Sequence, residues 1–264
     1  MTQDERLDFL IEAFKAESEE YKKICVPAER DGKRQFLRVL MNVRMPGPMS
    51  AEVLAVQDAY LRERAEEKGI VGLDEIPVIC DGLSIWQGDI TRLAVDAIVN
   101  AANSAMLGCF VPGHNCIDNC IQTYAGIQMR AECDRQMKLL KREYGQSYVQ
   151  PTAIPLLTDG YNLPAKKVVH IVGPVVTEPL TQKHRTELAA CYTNTLDLCM
   201  REGLKNLAFC CISTGVFHFP NEEAAEIAVN TVRGWQETHG NAMERIIFNV
   251  FKKKKKKCYE NLMR

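Results

Sequence analysis

Three side chains with metal-binding character fall within eight residues: Cys109, His114 and Cys116. Two thiolates and an imidazole make a ligand set that zinc favours, and Pro112 and Gly113 let the intervening segment bend so that the three converge. Three protein ligands leave one position open. That is the arrangement of catalytic zinc, where bound water is acidified to a pKa of about 7 or a substrate oxygen is polarised directly. The spacing is not one of the common finger patterns. Cys120, four residues after Cys116 at the start of an expected helix, either completes a four-ligand structural site or packs inward as reduced cysteines usually do, and spacing leaves both open. A third alternative makes the cysteines buried thiols and His114 a surface loop histidine. His170, inside an apolar run, reads as a satisfied core histidine, and His184 and His239 lie in polar helical stretches.

A second segment, Ile212-Ser213-Thr214-Gly215-Val216-Phe217-His218-Phe219-Pro220, runs from an apolar strand into a helix. Gly215 permits close approach of backbone to an anion, and the helix start after Pro220 adds partial positive charge, so the turn can point N–H groups at phosphate. The alternative is an ordinary strand-to-helix turn. Phe217 either stacks on a sugar or base or simply packs, and His218 has no catalytic partner in view.

These segments need a scaffold. From Ile76 onward short apolar, β-branched runs at 84–86, 97–99, 168–172, 207–212 and 246–251 alternate with helical stretches at 117–142, 183–202 and 221–238. That alternation predicts an α/β layered sheet, whose ligands sit beyond the carboxyl ends of the strands, after Asn100, Val172 and Ile212. Residues 1–75 differ. Leu7, Leu10, Ile11 and Phe14 recur at helical spacing, as do Phe36, Leu37, Leu40 and Met41. After the break at 44–49, Ser50 is an expected N-cap for a helix with Val53, Val56 and Tyr60 on one face. We read 1–75 as a helical extension without chemistry of its own that caps the main domain, 76–264, in preference to one that binds substrate directly.

Composition bounds the function. With 264 residues, 46% hydrophobic and 25% charged, the chain fits an ordinary globular protein. A formal net charge of -1 offers no general case for nucleic acid or membrane partners. The acidic start Met1-Thr2-Gln3-Asp4-Glu5 is unlike a signal peptide and no apolar stretch suffices to cross a bilayer, so a cytoplasmic location is expected. Eleven cysteines, an odd number in a long chain, are expected to be mostly reduced. Six consecutive lysines, Lys252 to Lys257, read as a solvated face.

Four motifs in order, Gln87-Gly88-Asp89-Ile90-Thr91, Asp96-Ala97-Ile98-Val99-Asn100-Ala101-Ala102-Asn103, Val169-His170-Ile171-Val172-Gly173-Pro174 and Ile212-Ser213-Thr214-Gly215, resemble the macrodomain signature across about residues 76–264. The resemblance implies a three-layer α/β/α domain with a mixed sheet and a cleft for ADP-ribose. It puts Asp89 and Ile90 at the adenine, Asn103 at the distal ribose, and Ser213, Thr214, Gly215, Val216 and Phe217 around the diphosphate. Common macrodomains carry a run of glycines after the position of Asn103. Here stands instead the segment from Gly108 to Asp118, which is similar to the zinc-dependent microbial subgroup, itself bearing an N-terminal helical extension.

That subgroup resemblance implies one zinc on Cys109, His114 and Cys116, with Cys116, Ile117 and Asp118 also lining the ADP-ribose site. It implies hydrolysis of mono-ADP-ribose from acidic side chains of a modified protein, with Asn103 orienting the ribose and Asp118 as base or as a helix-start residue. It also suggests a lipoyl carrier protein, modified by a sirtuin-type transferase, as partner. An ADP-ribose-binding module without catalysis, its zinc structural, is the rival reading. A hydrolase acting on ADP-ribosylated nucleic acid is a third, and the neutral charge does not favour it.

Overall fold

The computed structural model describes residues 1–177 and 179–263. The first half-turn of chain sets the pattern of the extension: Thr2 caps α1 (Gln3–Lys15) in a capping box with Glu5, and α2 (Glu19–Lys22) follows. Next come α3 (Arg30–Val43) and α4 (Ala51–Lys68), the latter started by Ser50, whose hydroxyl accepts from the Val53 N–H as the sequence predicts. The helical apolar stripes meet in one core of Leu7, Leu10, Ile11, Phe14, Leu37, Leu40, Met41, Val53, Tyr60 and Leu61, with Ile127 reaching in from the next layer.

Beyond the extension stands a six-stranded sheet in the order β1-β6-β5-β2-β4-β3. The strands are β1 (Leu83–Gln87), β2 (Ala97–Ala102), β3 (Leu156–Asp159), β4 (Lys167–Val172), β5 (Asn206–Phe209) and β6 (Arg245–Val250). All pairs are parallel except β3 with β4, so the sheet is mixed. Helices α5 (Ile117–Ala125), α6 (Ile127–Tyr144), α7 (Gln182–Arg201), α8 (Asn221–His239) and α9 (Lys253–Leu262) flank it, completing the expected three-layer α/β/α architecture. β2, β4 and β6 are almost wholly buried, which is why they read as continuous apolar runs.

Three expectations change. The single helix expected over 117–142 is two, α5 and α6, broken at Gly126 with φ 102°; a Cβ there would lie 2.7 Å from Gln57 Nε2 of the extension. The strand expected over 207–212 stops at Phe209, because the backbone turns on itself where the Ile212 N–H bonds the Cys210 carbonyl at 2.9 Å. The lysine run is the first half of α9, and Lys255 is not simply solvated: its Nζ donates to Thr214 Oγ1 at 2.5 Å.

Among the described residues, no helix is long and apolar enough to cross a membrane. Because Leu10 is fully buried at the centre of the N-terminal core, Leu10→Ala should destabilise the protein by about 2–5 kcal/mol in urea unfolding followed by circular dichroism.

Candidate active site

Parallel pairing places the carboxyl ends of β1, β2, β4, β5 and β6 on one edge of the sheet. The segments that leave those ends are the ones singled out by their chemistry: Asp89 after β1, Asn103 to Cys116 after β2, Gly173 after β4 and Ser213 to Phe217 after β5. The topology therefore gathers residues more than a hundred positions apart.

At the centre of this edge, the register opposes Asn100 on β2 to His170 on β4. Both amide hydrogens of Asn100 are used: Nδ2 donates to Asp118 Oδ1 at 2.8 Å and lies 3.1 Å from His170 Nδ1. His170 Nε2 in turn sits 3.0 Å from Thr158 Oγ1, and Thr158 donates to the Asp159 carbonyl. This network assigns His170 the neutral form, protonated at Nε2. Full burial agrees, since it pulls the histidine down to about 4. His170 is thus the satisfied core histidine that the sequence suggests.

Asp118, the second residue of α5, is 5% exposed, and burial pushes its carboxyl up to about 6 while the Asn100 bond lowers it. Its Oδ2 accepts from Asn103 Nδ2 at 3.4 Å. Asn103 Nδ2 also donates to the Gly108 carbonyl at 3.0 Å, and its Oδ1 accepts from the Ala105 N–H, so the amide is held on three sides. Both carboxylate oxygens of Asp118 are thereby committed to asparagines, an arrangement suited to positioning.

Beside this pair, Cys109, His114 and Cys116 bring one ligand atom each to within 4.8 Å of one another, a group able to hold a metal ion. Cys109 Sγ lies 3.5 Å from His114 Nδ1. Cys116 caps α5, its Sγ facing the Asn119 N–H, and burial together with the neighbouring Cys109 pushes its thiol up to about 12. Cys120 is outside this group; its Sγ faces Arg38 Nη2 at 3.6 Å. Ile117 is the first residue of α5, half-buried between Cys116 and Asp118.

The segment after β5 is tightly bent. Ser213 has φ 61° and packs so closely on Gly173 that a Cβ there would fall 2.1 Å from Ser213 Oγ, an oxygen that is buried and unpartnered among the described residues. The Phe217 carbonyl accepts from the Val176 N–H, while Val216 is 67% exposed. Among the described residues, the N–H groups of Gly215, Val216 and Phe217 have no backbone acceptor. The helix start expected to add positive charge carries Glu222 and Glu223 in its first turn, which offset it, whereas Lys255 supplies a cation at Thr214.

At the far end, Asp89 Oδ1 accepts from the Thr91 N–H and hydroxyl, fixing a short 3₁₀ turn that buries Ile90. Lys68 of α4 reaches to 3.7 Å from Asp89 Oδ2 and stands 3.1 Å above the Tyr124 ring. The extension thus reaches Asp89 and Tyr124, where the sequence reading favours a packing cap over a direct substrate-binding role. That reading missed Arg38 and Asn42 of α3, which bond the backbone of the loop carrying Cys109 and His114. A signal existed: two polar residues four apart inside the Leu37, Leu40 and Met41 stripe.

Comparison with known proteins agrees with this architecture. A Macro domain model matches residues 99–228. The chain is 47% identical over 267 aligned positions to a protein-ADP-ribose hydrolase of Treponema medium, covering 100% of both, and 42% identical to a Staphylococcus aureus (strain MRSA252) protein of the same name, covering 97% of this chain and 94% of that one. Among solved structures, the Trypanosoma brucei macrodomain in complex with ADP-ribose aligns with a TM-score of 0.66 at 28% identity, over 83% of this chain and 93% of that chain. The chain belongs to the macrodomain family.

The neutral His170 yields a stability prediction. Its folded pKa of about 4 lies below the ordinary 6.5, so the unfolded chain binds the proton first and stability is lost as pH falls from 6.5 towards 4. Asp118, raised to about 6, gains stability over the same window, so the His170 contribution is read as a difference: from pH 6.5 to 4 the parent should lose up to about 3 kcal/mol more than His170→Gln in urea unfolding.

Proposed function

We propose that the chain is a zinc-dependent ADP-ribosylhydrolase that removes mono-ADP-ribose from the acidic side chains of a modified protein. The observation that carries this reading is the convergence of Cys109, His114 and Cys116 beside the Asn103–Asp118 pair. The names of the Treponema and Staphylococcus relatives, and the ADP-ribose held by the trypanosomal macrodomain, support the substrate class.

The ligand set supports zinc. Zinc–sulfur bonds of about 2.3 Å and zinc–nitrogen bonds of about 2.0–2.1 Å at a tetrahedral angle separate S from N by roughly 3.6 Å. The observed Cys109–His114 separation is 3.5 Å. Burial and the neighbouring Cys109 hold the proton on the Cys116 thiol, and a cation would compensate the charge of the thiolate there. Bound there, zinc would supply Lewis acidity next to the distal ribose.

The chain's own residues would do the rest. Asp89 and Ile90 hold the adenine, while Ser213 and the free N–H groups of Gly215, Val216 and Phe217 hold the diphosphate. Asn103, held by Asp118 and Gly108, presents its amide to the distal ribose and fixes the orientation in which the ester is attacked. Cys116, Ile117 and Asp118 form the wall beneath. Asp118 acts by holding Asn103, since its oxygens are bonded and buried. A lipoyl carrier protein modified by a sirtuin-type transferase stays the proposed target.

Purified protein, as isolated and after chelation, should be incubated with a protein mono-ADP-ribosylated on an acidic side chain while ADP-ribose release and metal content are measured. Release lost on chelation and restored by zinc is expected; ADP-ribose binding without release from any linkage would overturn the proposal in favour of a binding module. Cys109→Ala or His114→Ala should abolish turnover yet leave ADP-ribose affinity within several-fold, and Asn103→Ala should lower kcat by about a hundredfold.

A further inference from the structure

The metal-ligand loop is irregular, its own backbone satisfies few of its carbonyls, and side chains of the extension meet those of Cys109, Gly113 and His114. Arg38 of α3, 9% exposed, spreads its guanidinium across the loop: Nη1 donates to the Gly113 carbonyl at 3.2 Å and to Asn115 Oδ1 at 2.9 Å, and Nη2 to the His114 carbonyl at 2.7 Å and to Asn119 Oδ1 at 3.1 Å. One turn later Asn42, fully buried, clasps the loop from both sides, Nδ2 donating to the Cys109 carbonyl at 2.6 Å and Oδ1 accepting from the Gly113 N–H at 3.2 Å. Asn119, itself held by Arg38, adds a second bond to the Cys109 carbonyl at 3.2 Å. Arg130 of α6 fixes the other end of the clasp, donating to the Met41, Asn42 and Arg44 carbonyls, with its guanidinium carbon 4.4 Å from the Phe110 ring centroid.

The carbonyls so held belong to the metal-binding residues themselves. Cys109 is gripped by Asn42 and Asn119, and His114 by Arg38, while Cys116 is fixed separately as the cap of α5. Gly113 sits so close to α3 that a Cβ would lie 2.9 Å from Gln35 Nε2, so the loop is moulded to this helix. Loss of Arg38 takes the side-chain donors from the Gly113 and His114 carbonyls, and loss of Asn42 leaves the Cys109 carbonyl to Asn119 alone, so the loop is freer to move its ligand atoms.

We infer that Arg38 and Asn42 are positioning residues for metal binding: the N-terminal extension sets the separation of Cys109 and His114 and thereby the affinity of the site for zinc. This rests on the zinc reading above. The extension is therefore a component of the metal centre, supplying the outer support that ligand geometry requires.

The test is zinc affinity of the full chain, measured by competition with a chromogenic chelator, together with melting temperature with and without zinc and the affinity for ADP-ribose. Arg38→Ala and Asn42→Ala should each weaken zinc binding at least tenfold and shrink the rise in melting temperature on adding zinc, leaving ADP-ribose affinity within about twofold. Arg38→Lys, which keeps charge but not the planar fork, should fall between. Variants that melt lower without zinc yet bind it as tightly as the parent would overturn the inference and reduce the clasp to scaffolding. Should the alanine variants fail to fold, Arg38→Lys and Asn42→Ser carry the comparison, and unchanged zinc affinity in both overturns it equally. A parent protein that binds no zinc would sink the zinc reading and this inference together, a result distinct from the preceding ones.

Discussion

A segment that gathers three candidate ligands into one place has to abandon regular structure, and in doing so it frees carbonyls from backbone pairing that must find other donors. Here those carbonyls are met by Arg38, Asn42 and Asn119, side chains of helices on either side of the loop. The remaining architecture follows from that requirement. α3 reaches the loop with its apolar stripe anchored against α1, in a core that α4 shares, and with Arg130 binding its final carbonyls.

The second requirement is convergence. Four segments of unrelated sequence position meet because the parallel strands all end on one edge, and because small residues let the loops touch there. Gly173 admits Ser213 against it, and the Asn249 amide bonds the Gly88 carbonyl at 3.0 Å, tying the end of β1 to β6. Behind the edge, the chain of hydrogen bonds from Asp118 through Asn100 and His170 to Thr158 crosses three adjacent strands. The bonds made by Asn100 Nδ2, both Asp118 oxygens and both His170 nitrogens hold these side chains in one arrangement, a base on which Asn103 rests.

The legible parts of the sequence were those where local pattern and tertiary role coincide. Buried parallel strands such as β2 and β4 are continuous apolar runs, and Ser50 marks its helix because a hydroxyl there meets an orphan N–H. The ligand loop stood out by residue type, and the structure brings Cys109, His114 and Cys116 together without Cys120. What was not legible depended on partners distant in sequence. At Gly126 the glycine is the sole local sign of a helix break, and what holds the break, Gln57 accepting from the Ile127 N–H, lies in the extension. β3 is four residues long and gains its identity from pairing with β4. The extension looked like a cap because Arg38 and Asn42 acquire meaning only against a loop some seventy residues away.

The central claim is that the centre has three protein ligands and an open position. Crystals of the zinc-loaded protein with ADP-ribose, with anomalous scattering recorded at the zinc edge, address it directly. The account predicts one zinc bound by Cys109 Sγ, His114 Nδ1 and Cys116 Sγ, its fourth position turned to the distal ribose beside Asn103. A zinc closed off by Cys120 as a fourth ligand, or one lying away from the ribose, would contradict it.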